Sequence, residues 1–224
     1  MFFDVSSLPL KVFCDIVGSW LTLKSIPFLD SAFCNSRRGY FNHLLEAKEF
    51  VHRNPVLLSN KVVNWLRVKA MHISNIVLTV GLEPTQTVMQ YFAMFGHSIR
   101  CVTFNQCNEL EILYIVACFC KNIMVIQCTN VSLPSAFHAI LLNNPNIKEI
   151  WLLDCNCPYD NLMSNVALHK LNVLCVNNAD SKHEFLWSDT TQTRSLQRVE
   201  LCLFGTNNLE HLTRQNSQLR SFGI

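Results

Sequence analysis

Half of the 224 residues are hydrophobic and 15% are charged, enough apolar material for a sizeable core and too little charge for a disordered chain. The formal charge is only +2 and the basic residues are dispersed, Arg37-Arg38 being the nearest to a cluster, which argues against a nucleic-acid partner. The longest uncharged apolar run, 112–120, falls short of the roughly 18–20 residues that a bilayer core demands, so no membrane span is expected.

The first residues are apolar but lack a basic region, and Asp4, Lys11 and Asp15 interrupt them, so they do not read as a secretory signal. A cytoplasmic or nuclear chain with reduced thiols is expected. The eleven cysteines are an odd count that fits free thiols. Two C-x-C pairs, Cys118/Cys120 and Cys155/Cys157, lack usual structural-zinc spacing, so buried apolar thiols are expected, with no metal and no cofactor.

In chain order, residues 1–47 predict three short helices. The first starts behind Leu8-Pro9 and repeats apolar residues at Val12, Phe13, Ile16, Val17 and Trp20. The second begins near Ser25 and carries Ile26, Phe28, Leu29, Ala32 and Phe33; the third begins near Ser36 with Tyr40, Phe41, Leu44 and Leu45 on one face. Three such helices hold little core of their own. Residues 48–72 read as a connecting and capping segment. There Asn54-Pro55 breaks the chain, and 60–67 forms a helix that packs through Val63, Trp65 and Leu66.

From residue 73 to 224 the chain repeats. An apolar-x-x-apolar-x-apolar unit appears at Ile73-Ile76-Leu78, Ile99-Val102-Phe104, Ile123-Ile126-Cys128, Ile147-Ile150-Leu152, Leu171-Leu174-Val176, Leu196-Val199-Leu201 and Leu219-Phe222-Ile224. First positions are spaced by 26, 24, 24, 24, 25 and 23 residues. The fourth and sixth positions alternate, as inward residues of a short strand do, while their neighbours face out. The ninth position holds Cys107 and Cys155 but elsewhere Gly81, Val131, Ala179 and Phe204, so a continuous asparagine ladder is missing. Between strands, 87–95, 111–119 and 135–142 predict helices, the first stopped by Gly96 and the last following Pro134. Segments 160–166 and 207–213 predict one-turn helices or irregular loops.

This pattern resembles the leucine-rich repeat, in which parallel strands line a concave wall and helices cover the convex side. The resemblance implies an α/β solenoid of about seven units, each buried only by stacking on its neighbours. Its last strand, Phe222-Gly223-Ile224, has no polar closing element, so the expectation is that a partner or another copy covers that edge, or that the chain is a truncated or decayed family member.

The N-terminal residues Leu8-Pro9, Val12, Ile16, Trp20-Leu21, Ile26, Leu29 and Cys34 resemble the F-box, the helical module that docks substrate receptors onto the Skp-type adaptor of a cullin–RING ubiquitin ligase. Leu10-Lys11 stands where an acidic residue often follows Leu-Pro, and the family's aromatic after the cysteine is absent, Tyr40 being the nearest. An F-box ahead of leucine-rich repeats is a recurrent architecture. The resemblance implies that Leu8, Pro9, Val12, Ile16 and Leu29 contact the adaptor; the alternative is that these helices only cap the repeats.

With that register, a protein target on the concave wall would meet Thr103, Gln127, Glu149, Trp151, Leu153, Cys175, Arg198 and Glu200. Trp151 stands mid-row as a candidate anchor. The wall carries few charges and does not suit a phosphate or nucleic acid. No phosphate loop, H-E-x-x-H, G-x-S-x-G or paired-carboxylate pattern occurs, and His97 and His169 fall at equivalent turn sites. The expectation is a non-enzymatic interaction protein, a ligase substrate receptor, with a ligase-independent scaffold as the alternative.

Overall fold

The computed structural model describes residues 9–32, 35–47, 50–132, 135–155, 170–178, 197–203 and 221–223. Helix α1 (Leu10–Trp20) opens behind Pro9, whose carbonyl accepts from the Phe13 amide at 3.1 Å. Helix α2 spans Ser25–Ala32 and α3 spans Asn35–Glu46. The three helices stand where the apolar spacing places them. Phe13, Cys14 and Val17 of α1 turn inward, and Phe13 meets Phe41 of α3 edge-on, with ring centroids 6.1 Å apart.

Hydrogen bonds fasten α1 to the segment around residues 51–54. The Arg53 amide donates to Gly18 O at 2.7 Å, and Asn54 Nδ2 donates to the carbonyls of Ser19 and Leu21 at 3.1 and 2.9 Å. The Asn54-Pro55 break is thus also a clasp. Gly18 is required at this seam, because a Cβ there would lie 2.7 Å from the Val51 carbonyl oxygen.

The parallel pairing begins earlier than the periodicity predicts. Strand β1 (Val51–His52) pairs with β3 (His72–Ile73), and β2 (Val56–Leu57) pairs with β4 (Asn75–Thr79), placing Val56 opposite Ile76. Residues 48–72 therefore supply the first strand of the main sheet. The periodicity missed it because Arg53 occupies the first position where later units have Ile or Leu, and the spacing to the next unit is shorter. Val56 and Leu58 are nevertheless buried like their later counterparts. Helix α4 (Asn60–Val68) follows, its first turn capped by the Ser59 hydroxyl accepting from the Val62 amide.

Strands β5 (Cys101–Asn105), β6 (Val125–Thr129), β7 (Glu149–Leu153), β8 (Val173–Asn178), β9 (Arg198–Leu203) and β10 (Ser221–Gly223) continue the sheet. Its eight strands run β10-β9-β8-β7-β6-β5-β4-β2, every neighbouring pair parallel. Ile76, Val102, Ile126, Ile150, Leu174, Val199 and Phe222 stand opposite one another in turn, the register the repeat predicts. From Ile76–Leu78 through Leu174–Val176 the inward pairs are fully buried, as are the first-position residues from Ile73 to Leu171.

The backbone repeats as well. The carbonyls of Ser74, Arg100, Met124, Lys148 and Asn172, each in the second position, accept two amides from the next unit. At the far end of the strands Gln106, Asn130 and Asp154, all in the eighth position, take a left-handed φ of 54°, 52° and 51°. Helices α5 (Gln86–Phe95), α6 (Leu110–Phe119) and α7 (Ser135–Asn143) lie between strands in sequence. Each packs on the next, and they share one core with the inward strand residues. Asn144 after α7 is buried; its Oδ1 accepts from the Ile123 amide at 2.8 Å while its Nδ2 reaches the carbonyls of Cys120 and Ile140.

Gly96 stops α5, as its place after the helical spacing predicts. Its φ of −57° is right-handed and the chain continues into a 3-10 turn, Gly96–Ser98. Glycine is needed because a Cβ would lie 2.9 Å from the Phe119 carbonyl oxygen of the next helix. The segments 160–166 and 207–213, together with Leu196, Leu219, Ile224, Cys157, His169, Ala179 and Phe204, lie outside the described residues. The architecture is mixed α/β with parallel strands. Among the described residues no helix is long and apolar enough to cross a membrane.

Candidate functional site

Strand alternation leaves one face of the sheet uncovered by the core, and its side chains align in rows because the register is unbroken. The central row runs Val77, Thr103, Gln127, Trp151, Cys175 and Glu200. Thr103 and Gln127 are joined directly, the hydroxyl donating to Oε1 at 3.2 Å. Beside this row run Glu149 on one flank and Leu153 on the other, both partly exposed.

Trp151 forms the focus. Its Nε1 donates to Glu149 Oε2 at 3.2 Å, and the Arg198 guanidinium carbon stands 5.4 Å from the ring centroid. Both contacts fix the indole and leave it partly exposed, with a cation on its face and an anion at its N–H. A flat aromatic held this way loses little freedom on meeting a partner, the property of an interface anchor.

Cys175 departs from the expectation of an exposed wall residue, since it is only 7% exposed. Its position explains this. It stands between Trp151 and Glu200 in the register, and the reach of Arg198 from β9 to the indole on β7 passes over β8. A short side chain under that span loses its water. Glu200 is placed on β9 as backbone.

Four of the described thiols are shifted away from reactivity. Burial pushes the Cys120 thiol up to about 12. Burial also raises Cys101, Cys107 and Cys155, with Glu149 adding to the rise at Cys101. An activated nucleophile requires the opposite direction. Among the described residues no three His, Cys, Asp or Glu side chains gather as metal ligands.

A second surface lies on the N-terminal helices. The stripe read from the sequence divides in two: Phe13, Cys14 and Val17 go inward, while Val12, Ile16 and Trp20, four residues apart, form a neighbouring side that is partly or fully exposed. Val12 is 42% exposed and Trp20 78%, with Leu10 and Pro9 exposed at the start of α1 and Phe28 of α2 77% exposed. Of the five residues that the F-box resemblance names, Pro9, Val12 and Ile16 reach this surface; Leu29 is placed on α2 as backbone, and Leu8 lies outside the described residues. Trp20 and Phe28, which the resemblance did not assign to a contact, are the most exposed large apolar side chains of these helices among the described residues. Their signal was large apolar side chains on helices too short to bury two faces.

Compared with models of known protein families, this chain matches none. No curated protein matches its sequence either.

Proposed function

We propose that the chain is a leucine-rich-repeat solenoid that recognises a protein target on its open sheet face, and that its N-terminal helices dock it as a substrate receptor onto the Skp-type adaptor of a ubiquitin ligase. The observation that carries the reading is the pairing of two uncovered surfaces. One is a polar, in-register wall centred on Trp151; the other is an apolar stripe of Pro9, Val12, Ile16 and Trp20 on α1, with Phe28 also exposed on α2. Monomeric domains seldom leave large apolar side chains grouped in water, and such patches mark association sites. The mechanism is proximity: one surface holds the target, the other the ligase, and this chain performs no chemistry.

The alternative is a ligase-independent scaffold whose helices only cap the array. The clasp between Asn54 and α1 favours a capping role for the inner face of α1, and the outer stripe is what the cap alone leaves without a use. Val12→Asp tests the reading because Val12 already meets solvent. The folded variant is expected to lose co-purification with a Skp-type adaptor while keeping its melting temperature. No co-purification of the folded parent chain would remove the ligase role and leave the scaffold.

A further inference from the structure

The parallel topology sorts charge as well as apolar residues. Each connection leading into a strand ends on one edge of the sheet, and each connection leaving a strand ends on the other. Among the described residues, the entering edge carries Arg53, Arg100, Lys121, Lys148 and Lys170, all exposed. The leaving edge carries Glu83, Glu109, Glu111 and Asp154, also exposed, with Lys61 the exception to its sign. These residues are far apart in sequence and come onto common edges only through the stacking of units.

Helix dipoles account for part of this sorting, since Lys121 Nζ donates to Ala117 O at 2.6 Å at the end of α6. Arg53 and Arg100 have no such duty. Arg53 follows β1, and Arg100 is the residue before β5. They line a cleft of about 800 Å³. His72 and His97, with ring centroids 5.5 Å apart, add two imidazoles to it. Val51 and Met94 add aliphatic wall, and among the described residues no acidic side chain lines the cleft. Arg53 has an acid beside it in Asp15, whose Oδ1 lies 3.1 Å from Arg53 Nη2 in a well-exposed pair, a weak contact that an incoming anion can displace. Arg100 meets a neutral partner in the Asn122 carbonyl, at 3.3 Å.

We propose that this cleft binds an anionic group, phosphate or carboxylate, carried by an acidic peptide segment that continues along the basic edge. The two guanidiniums in the lining, Arg53 and Arg100, provide forked donors for such a group. A peptide fits better than single-stranded nucleic acid because the cleft has aliphatic walls and lacks the Phe, Tyr or Trp platforms on which bases stack. The proposal goes beyond target binding on the open face and stands whether or not the helices dock an adaptor.

The test is fluorescence anisotropy on the full chain with a labelled peptide bearing three phosphoserines, together with its aspartate and its serine counterparts. A single-stranded oligothymidine of matched charge completes the set. The phosphoserine or the aspartate peptide is expected to bind, the serine peptide to bind at least about tenfold more weakly, and added salt to weaken the contact. Arg100→Glu and, separately, Arg53→Glu are expected to weaken it by about tenfold or more, with circular dichroism and melting unchanged. Lys61→Glu on the opposite edge is expected to leave it within about twofold. Absence of binding by both acidic peptides, or affinity indifferent to Arg100→Glu, would overturn the site. Tighter binding of the oligothymidine, lost in Arg100→Glu, would overturn the peptide assignment.

Discussion

The N-terminal helices and the strand array use apolar residues in opposite ways. In the array, the inward pairs from Ile76–Leu78 through Leu174–Val176 are fully buried, and the outward rows are mostly polar or small. In the helices, one apolar face is sealed against β1 and its neighbours while the other, with Val12, Trp20 and Phe28, faces water. A stacked unit finds its partner in the next unit of the same chain. Helix α1 is apolar on two faces and has one covered face among the described residues; under the proposed function the second meets another molecule. The two regions therefore differ in how substitutions should register: in the array as lost stability, on the helical stripe as lost association.

The largest effect is expected at Asn144, which ties two adjacent units. Replacing it with Ala strands the Ile123 amide and the Cys120 and Ile140 carbonyls, and should cost about 4 kcal/mol in a urea melt. A loss under about 1 kcal/mol would mean that the units do not depend on this buried link.

Acid should find the junction of the two regions next. His52 is fully buried and neither ring nitrogen has a hydrogen-bond partner among the described residues, so burial lowers its pKa from 6.5 to about 4. Above pH 6.5 the ring is neutral folded or unfolded and stability is unaffected by it. As pH falls from 6.5 to 4, the unfolded chain takes up the proton first, and about 3 kcal/mol of stability should drain away. His52→Leu should flatten that slope in melts taken across the interval; an equally steep slope would assign the loss to other groups.

Gly18→Ala sharpens the comparison at the seam itself. The added methyl meets backbone rather than a yielding side chain, so about 2 kcal/mol should be lost on thermal melting. A neutral result would show the helices seated more loosely than the clasp implies. The smallest stability effect is expected on the wall, where Trp151→Ala removes the Arg198 and Glu149 contacts and should cost about 1 kcal/mol or less. Its consequence should appear as weakened capture of a wall-bound target.

Much of this arrangement is legible in the residues. Spacings of about two dozen placed the seven strands from β4 to β10 in register, and helical periodicity placed α1 to α7, because burial in stacked units leaves a strict apolar imprint. The imprint fades where an end unit departs from the pattern, so β2 was hidden behind Arg53. It also cannot separate two apolar faces of one helix, and Val12 and Phe13 read alike until packing divided them. Cys175 was legible as outward but not as covered, since its burial depends on Trp151 and Arg198 from two other strands. The sorting of charge onto two edges was likewise invisible in a linear reading, as its members meet only across units.

The central claim is the stacking of side chains one period apart, and methyl–methyl nuclear Overhauser contacts in the isotopically labelled chain test it most directly. Neighbouring strands about 4.8 Å apart should give strong cross-peaks from Ile76 to Val102, Val102 to Ile126, Ile126 to Ile150 and Ile150 to Leu174. A folded chain whose spectra lack those contacts, or show them displaced along the strands, would contradict the register and with it the wall, the sorted edges and the cleft.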